Sequence, residues 1–145
     1  MTTAVYHEIN NEIMRQWEER WESRTDSRQT AIFFPKINLK KSKEIIKTNK
    51  NTLGKVVRAL SGHDHRHRHN SLLACGRDEG QCRFCWQDLE TPSHVILHCP
   101  KLTILRAHIF ESYQAENIVQ SWEAEQLASF LTVEHIAAME QEGLE

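Results

Sequence analysis

"CRFCWQDLETPSHVILHCP", residues 82–100, contains three of the chain's four cysteines and two of its nine histidines. Cys82 and Cys85 are separated by two residues, a spacing at which a tight turn points both thiolates at one ion. Eight residues separate Cys85 from His94, and the threonine or serine just before His94 can cap a helix that carries it. This stretch therefore predicts a metal site joined to a helix.

The residues alone leave the fourth ligand open between His98 and Cys99. His98 lies four residues after His94, so both would share one face of an α-helix. Cys99 lies roughly one turn beyond His94 and supplies a third thiolate, a ligand type well suited to zinc. Four protein ligands leave no open coordination position. We therefore expect one structural Zn²⁺, bound by Cys82, Cys85, His94 and Cys99, with His98 as the alternative fourth ligand.

Composition limits the class of protein. The 145 residues, 39% hydrophobic and 26% charged, suffice for one domain with a modest core. No run approaches the roughly 20 apolar residues of a membrane helix, and the polar N-terminus does not resemble a signal peptide. Four clustered cysteines without such a signal favour a reducing compartment. We expect an intracellular protein, nuclear and/or cytoplasmic, without a membrane partner, in which Cys75 is a small core residue.

Charge is strongly segregated along the chain. Residues 36–68 carry ten cations against two acids, whereas residues 107–145 carry eight glutamates and no Lys or Arg. A one-sided cationic segment predicts phosphate contacts with RNA or DNA that are weakly sequence-selective. The alternatives are a solvated face, or pairing with the acidic tail or a partner protein. The candidate nucleic-acid contacts are Lys36, Lys40, Lys41, Lys43, Lys47, Lys50, Lys55, Arg58, Arg66 and Arg68.

Hydrophobic periodicity predicts a mainly α fold. An apolar residue recurs every fourth position in an N-terminal helix of about five turns, which must dock its stripe onto another surface. "TAIFFP", residues 30–35, predicts an extended segment ended by proline. Two short helices follow, the first capped by Ser42 and the second by Asn51 or Thr52 with a stop at Gly62. The stripe of the first helix, which we call the apolar stripe, comprises Val5, Ile9, Ile13, Trp17 and Trp21.

These elements predict one compact, small helical domain with a zinc-knuckle turn or hairpin inserted between helices. We expect an N-terminal amphipathic helix within residues 1–30 and a basic helical segment within 31–76. The Cys-Cys-His-Cys knuckle then occupies 77–100, and acidic C-terminal helices occupy 101–145.

Several motifs, in order, resemble a known family. "SRQTAIFFPK", "LGKVVRALSGH" and "CRFCWQDLETPSHVILHCPKLTILR" are similar to the segment that follows the RNase H domain in Pol (reverse transcriptase) polyproteins of insect non-LTR retrotransposons. The resemblance covers roughly residues 9–132 and implies that the fourth ligand is Cys99. The chain departs from the family in its histidine-rich stretch "GHDHRHRHNSLLACG", which is slightly longer.

Catalytic motifs of the full polyprotein are missing from this sequence. We find no YxDD-type polymerase motif, no RNase H carboxylate constellation, no Gly-rich phosphate loop and no nucleophile with an evident base. The expected function is therefore a non-catalytic, structural-zinc, nucleic-acid-binding tail domain. The alternative is a protein-interaction or scaffolding module that docks through the apolar stripe, for example onto neighbouring polyprotein domains. A nuclease, which would need a metal site with open positions, is the weakest candidate.

Overall fold

The structure is a computed structural model, and it describes residues 2–25, 28–63 and 80–142. Within these ranges the chain is mainly helical and forms no β-strand beyond one isolated bridge, which confirms the predicted fold class. The predictions for Arg66, Arg68 and Cys75 fall outside the described residues. The α-helices are α1 Thr3–Glu22, α2 Arg28–Phe33, α3 Leu39–Lys47, α4 Lys50–Ser61, α5 Thr103–Phe110, α6 Ala115–Ser121 and α7 Ala124–Glu142; a π-helical turn (His94–His98) and a 3-10 turn (Pro100–Leu102) precede α5.

The extended segment predicted at residues 30–35 is wrong, because this stretch forms most of α2. The Phe34 N–H donates to the Thr30 carbonyl over 2.9 Å, which closes the last turn of the helix. The Thr30 hydroxyl donates to the Leu60 carbonyl at 2.8 Å and ties α2 to the end of α4. Pro35 disfavours a helical conformation for the residue before it and has no N–H to continue the helix. The helix therefore ends at Phe33, whose side chain is buried.

The predicted N-caps of α3 and α4 are also wrong, since both helices begin a few residues earlier. Asn38 caps α3 in place of Ser42, and Asn49 caps α4 in place of Asn51 or Thr52. Each asparagine side chain accepts a hydrogen bond of 2.9 Å from the backbone N–H three residues later. Asparagine satisfies an otherwise unpaired N–H in this way as well as serine does, so its position decides where each helix starts.

The inward face of α4 agrees with the predicted pattern in part. Val56 and Leu60 are buried and Leu53 is half-buried, whereas Val57, expected inside, is 49% exposed. Gly62 ends the helix with a φ of 75°, in the left-handed region that glycine adopts without strain, as expected. The buried face of α4 packs on α7, which also packs on α5.

Trp122 joins the helices around the centre of the core. Its ring is 2% exposed and meets the rings of Phe33 and Phe34 edge-on, at centroid distances of 6.3 and 5.7 Å. Its indole N–H donates to the Phe33 carbonyl over 3.3 Å. Buried side chains of the π-helical turn, among them Val95 and Ile96, belong to the same core. The core therefore holds the second half of the cysteine-rich stretch in place.

Helix α1 forms as predicted, but its apolar stripe is not covered by the described part of the chain. No residue of the helix is buried, and the first four stripe residues are 44–54% exposed. Trp21, the last residue of the stripe, is half-buried, and its indole N–H donates to the Phe34 carbonyl over 2.8 Å. Neither α1 nor any other described helix has the length and hydropathy needed to cross a membrane.

Candidate metal centre

The side chains of Cys82, Cys85, His94 and Cys99 converge at one buried point. Their ligand atoms all lie within 4.8 Å of one another. The Cys82 and Cys99 sulfurs are 3.8 Å apart, and Cys85 Sγ lies 3.3 Å from His94 Nε2. A tetrahedral zinc with Zn–S bonds of about 2.3 Å separates two sulfurs by about 3.8 Å. Three thiolates and an imidazole at these separations are compatible with one metal ion.

A short hairpin positions the first two cysteines. Gln81 and Leu89 form its antiparallel bridge, and the Cys82 N–H donates to the Asp88 carbonyl over 2.7 Å. The turn closes with a 2.9 Å hydrogen bond from the Trp86 N–H to the Cys82 carbonyl, and Trp86 takes a positive φ of 57°. A tight turn of this kind brings both sulfurs to the same side of the backbone.

A π-helical turn positions the other two ligands. The Cys99 N–H donates to the His94 carbonyl over 2.6 Å, which closes a turn one residue wider than an α-helical turn. Residue 99 thereby returns to residue 94, and Cys99 is fully buried. His98, the alternative fourth ligand, is exposed and lies outside the convergent group. At the start of the turn, the Thr91 hydroxyl accepts a 3.1 Å hydrogen bond from the His94 N–H.

A buried ion pair stabilises the hairpin. Glu90 is fully buried, and its carboxylate accepts a hydrogen bond of 2.8 Å from the Arg83 backbone N–H, which lies between the first two cysteines. The Arg83 guanidinium also contacts this carboxylate, with its shortest N···O distance at 2.6 Å. Breaking one partner of such a pair leaves a buried charge without compensation and is strongly destabilising. The pair therefore joins the two arms of the knuckle.

A buried cation, Arg106 of α5, reaches the metal centre from the core. The residue is 2% exposed. Its guanidinium donates to the Ile96 carbonyl over 3.0 Å and to the Cys99 carbonyl over 2.7 and 3.1 Å. These bonds satisfy the carbonyls of a turn residue and of Cys99, and they hold a positive charge beside the backbone of Cys99.

The pKa values of Cys82, Cys99 and His94 are shifted by burial and by their contacts with one another. The shared hydrogen bond between the sulfurs raises the pKa of Cys82 and lowers the pKa of Cys99. Burial lowers the pKa of His94, so its imidazole is neutral at pH 7 and Nε2 can coordinate a cation. The other ring nitrogen, Nδ1, lies 3.9 Å from the Asp88 carboxylate, on the side where metal-binding histidines commonly have an acidic neighbour.

The predicted nucleic-acid contacts separate into two groups. Lys41 and Lys55 face the core: Lys41 Nζ donates to the Trp122 carbonyl and lies 4.9 Å from the centre of that ring, and Lys55 Nζ donates to Thr132 Oγ1 over 2.7 Å. The other described members of the set are exposed; they are Lys36, Lys40, Lys43, Lys47, Lys50 and Arg58.

Sequence reasoning missed the charged residues that surround the metal centre. Opposite charges at Arg83 and Glu90, on the two arms of a predicted hairpin, were an available signal for the ion pair. Arg106 gave no signal in the residue pattern, because a lone arginine in a short helix normally lies at the surface.

Comparisons of the chain with protein-family models, with curated protein sequences and with solved structures gave no match.

Proposed function

We propose that this chain is a structural-zinc, nucleic-acid-binding tail domain of a retrotransposon-type polyprotein, without catalytic activity of its own. The buried Cys₃His cluster carries the zinc half of the proposal. The exposed cations of α3 and its flanking segments support the nucleic-acid half. The order of motifs along the chain supports the assignment to a retrotransposon-type polyprotein.

Zinc suits this donor set better than other common metals. Thiolates and imidazole together select zinc over magnesium or calcium, which prefer oxygen ligands. Cys82, Cys85, His94 and Cys99 fill all four tetrahedral positions, so no position is left for a substrate or a reactive water. The ion would connect the hairpin to the π-helical turn and would contribute free energy of folding.

Helix α3 presents cations on one side and an apolar anchor on the other. Lys40, Lys43 and Lys47 are spaced by three and four residues and are all exposed, whereas Ile45 is buried. Such a row can meet several phosphates of one nucleic acid at once without recognising its sequence. Each contact releases counterions, so affinity must fall as salt concentration rises.

The nucleic-acid half is tested by measuring binding of the full chain to random-sequence RNA and DNA over a range of salt concentrations. We expect a linear decrease of log affinity with log salt, with a slope of roughly 0.7–0.9 per phosphate contact. Absence of binding to both polymers at low salt would refute this half, even if the protein contains zinc.

The proposed lack of catalysis has its own test. The purified chain should neither extend a primer nor cleave the RNA strand of an RNA–DNA hybrid in the presence of Mg²⁺. Magnesium-dependent cleavage that disappears on mutation of one acidic residue of this chain would contradict the proposal.

A second candidate function, a protein-interaction module, is favoured by the exposed apolar stripe of α1. An amphipathic helix whose apolar face remains in water commonly binds a groove of another protein. The two candidates differ in their salt dependence, because apolar docking is weakened little by salt, whereas phosphate binding is weakened steeply. Capture of a protein partner that persists in high salt, without any nucleic-acid binding, would favour the second candidate.

A further inference from the structure

An aromatic groove lies between α1 and the segment that joins α2 to α3. Its volume is about 180 Å³, and its lining is predominantly apolar. The rings of Trp17, Trp21 and Phe34 form much of this lining, and Lys36 and Asn38 also contribute to it. Pockets for drug-sized ligands are about 300–1,000 Å³, so this groove has room for a single ring system rather than a larger molecule.

The body of the protein holds two of these aromatic walls in place. Phe34 packs edge-on against the buried Trp122, with an angle of 88° between the ring planes. The indole N–H of Trp21 donates to the Phe34 carbonyl over 2.8 Å. Trp17, in contrast, is 49% exposed. The groove therefore combines fixed aromatic surfaces with one indole ring that is open to a ligand.

The charges around the groove are complementary to a polyanion. Arg20 lies three residues after Trp17, which places it on the same side of α1, and Arg24 follows just beyond the C-terminal end of the helix. The Arg24 guanidinium stacks over the Trp21 ring at 3.8 Å, and Lys36 lines the groove itself. An α-helix turns by about 100° per residue, so every glutamate of α1 lies at least roughly 100° around the helix axis from Trp17, away from the groove side. These glutamates are Glu8, Glu12, Glu18, Glu19 and Glu22.

We propose that this groove binds one unpaired base of a single-stranded nucleic acid, stacked on Trp17, with the flanking phosphates near Arg20 and Lys36. The inference rests on the proposed nucleic-acid binding and specifies its form. Aromatic rings beside cations are the combination that single-strand-binding proteins use, because every base has a π face. A base inside a duplex is already stacked and paired, so the groove should favour single strands and tolerate any sequence.

The test compares two fluorescent oligonucleotides of equal length and charge, a 12-nucleotide oligothymidine and its abasic counterpart, by anisotropy with the full chain. We expect wild-type protein to bind the base-containing strand about tenfold more tightly, the order of one stacking contact. Trp17→Ala should remove this preference and leave abasic binding unchanged, whereas Trp17→Phe, which keeps an aromatic ring, should retain most of it.

Tyr6→Ala is the matched control, because Tyr6 is an exposed aromatic residue of the same helix that does not line the groove. Equal wild-type affinity for both strands would overturn the base-binding groove and leave general phosphate binding intact. Equal effects of Trp17→Ala and Tyr6→Ala would overturn it as well. Absence of binding to either strand would overturn the proposed nucleic-acid function itself. Zinc content and thermal melting of each variant show that it is folded.

Discussion

At the scale of single residues, Arg106 shows how charge is balanced around the candidate metal centre. A divalent ion with three thiolates and a neutral imidazole carries one net negative charge. Burying that charge is costly unless it is compensated. Arg106 is 2% exposed and donates only to the Ile96 and Cys99 carbonyls among the described residues. Its charge and that of the metal centre would therefore stabilise each other.

Arg106→Met keeps much of the side-chain volume but removes the charge and its three hydrogen bonds. Because residues that support metal ligands typically change affinity 10–100-fold, we expect zinc binding to weaken by about tenfold or more. Arg106→Lys keeps the charge but loses the two-pronged contact with Cys99, so an intermediate effect is expected. Competition with a chromogenic chelator measures both affinities. Wild-type affinity in Arg106→Met would contradict the compensating role.

The four convergent side chains make a second prediction at this scale. Purified protein should contain one zinc ion per chain, and Cys82→Ala or His94→Ala should abolish its binding and lower helicity as chelation does. His98→Ala is the matched control, because His98 lies in the same turn but is exposed. Elemental analysis and circular dichroism provide the measurements. Equal zinc loss in His98→Ala and Cys99→Ala would show that the ligand set is wrong.

At the scale of secondary-structure elements, the lysines of α3 fall into two classes. Some are exposed and can bind phosphates, whereas one packs on the core. The outward lysines are solvated, whereas Lys41 reaches back to Trp122 and to the Glu44 carboxylate, 3.4 Å away. The two isoleucines of the helix divide in the same way, since Ile45 is buried and Ile46 is 70% exposed. Charge alone therefore does not identify a nucleic-acid contact; the direction of the side chain does.

Replacing Lys40, Lys43 and Lys47 together by Gln should weaken nucleic-acid binding and reduce the salt slope, by roughly 0.7–0.9 for each lost contact. The melting temperature should change little, because exposed charges contribute little to stability. Lys41→Gln is the matched control and should lower the melting temperature while leaving the slope unchanged. An unchanged salt slope in the triple variant would exclude this face of α3 as a phosphate-binding surface.

At the scale of the whole molecule, the acidic tail packs on the basic segment mainly through the core. Buried side chains join α4 to α7, together with part-buried hydrogen bonds from Lys55 to Thr132 and from Thr52 to Glu125. Between the described cations of residues 36–58 and the described glutamates of residues 111–140, no ion pair forms. Charge segregation in the sequence therefore does not produce direct neutralisation in this part of the fold.

Three exposed glutamates of the C-terminal half, Glu116, Glu123 and Glu140, can be changed to Gln without disturbing the core. We expect nucleic-acid affinity to change by less than about twofold at physiological salt, because none of the three forms an ion pair with the described cations of residues 36–58 and salt screens exposed charges. A salt titration of binding by the triple variant measures this. A large increase in affinity would show that the tail neutralises the basic segment after all.

Local sequence features predicted much of this protein. Helix α1, the end of α4 at Gly62 and the mainly α class follow from periodicity and capping, which act over a few neighbouring residues. The Cys-x2-Cys spacing likewise predicts a turn. The N-caps were misplaced because asparagine, serine and threonine compete for the same role. The sequence 30–35 was misread because the contact from Thr30 to Leu60, thirty residues away, stabilises a helix there.

Tertiary structure decided the features that short-range sequence patterns do not determine, namely which side chains meet and which are buried. Cys99 rather than His98 joins the convergent group because a π-helical turn, held in the core by Val95 and Ile96, returns residue 99 to residue 94. The burial of Arg106 and the exposure of the apolar stripe also depend on which surfaces the other helices cover. The residue order by itself determined which helices and ligands were available. Packing between distant segments determined which of them meet, because burial is a property of the assembled fold.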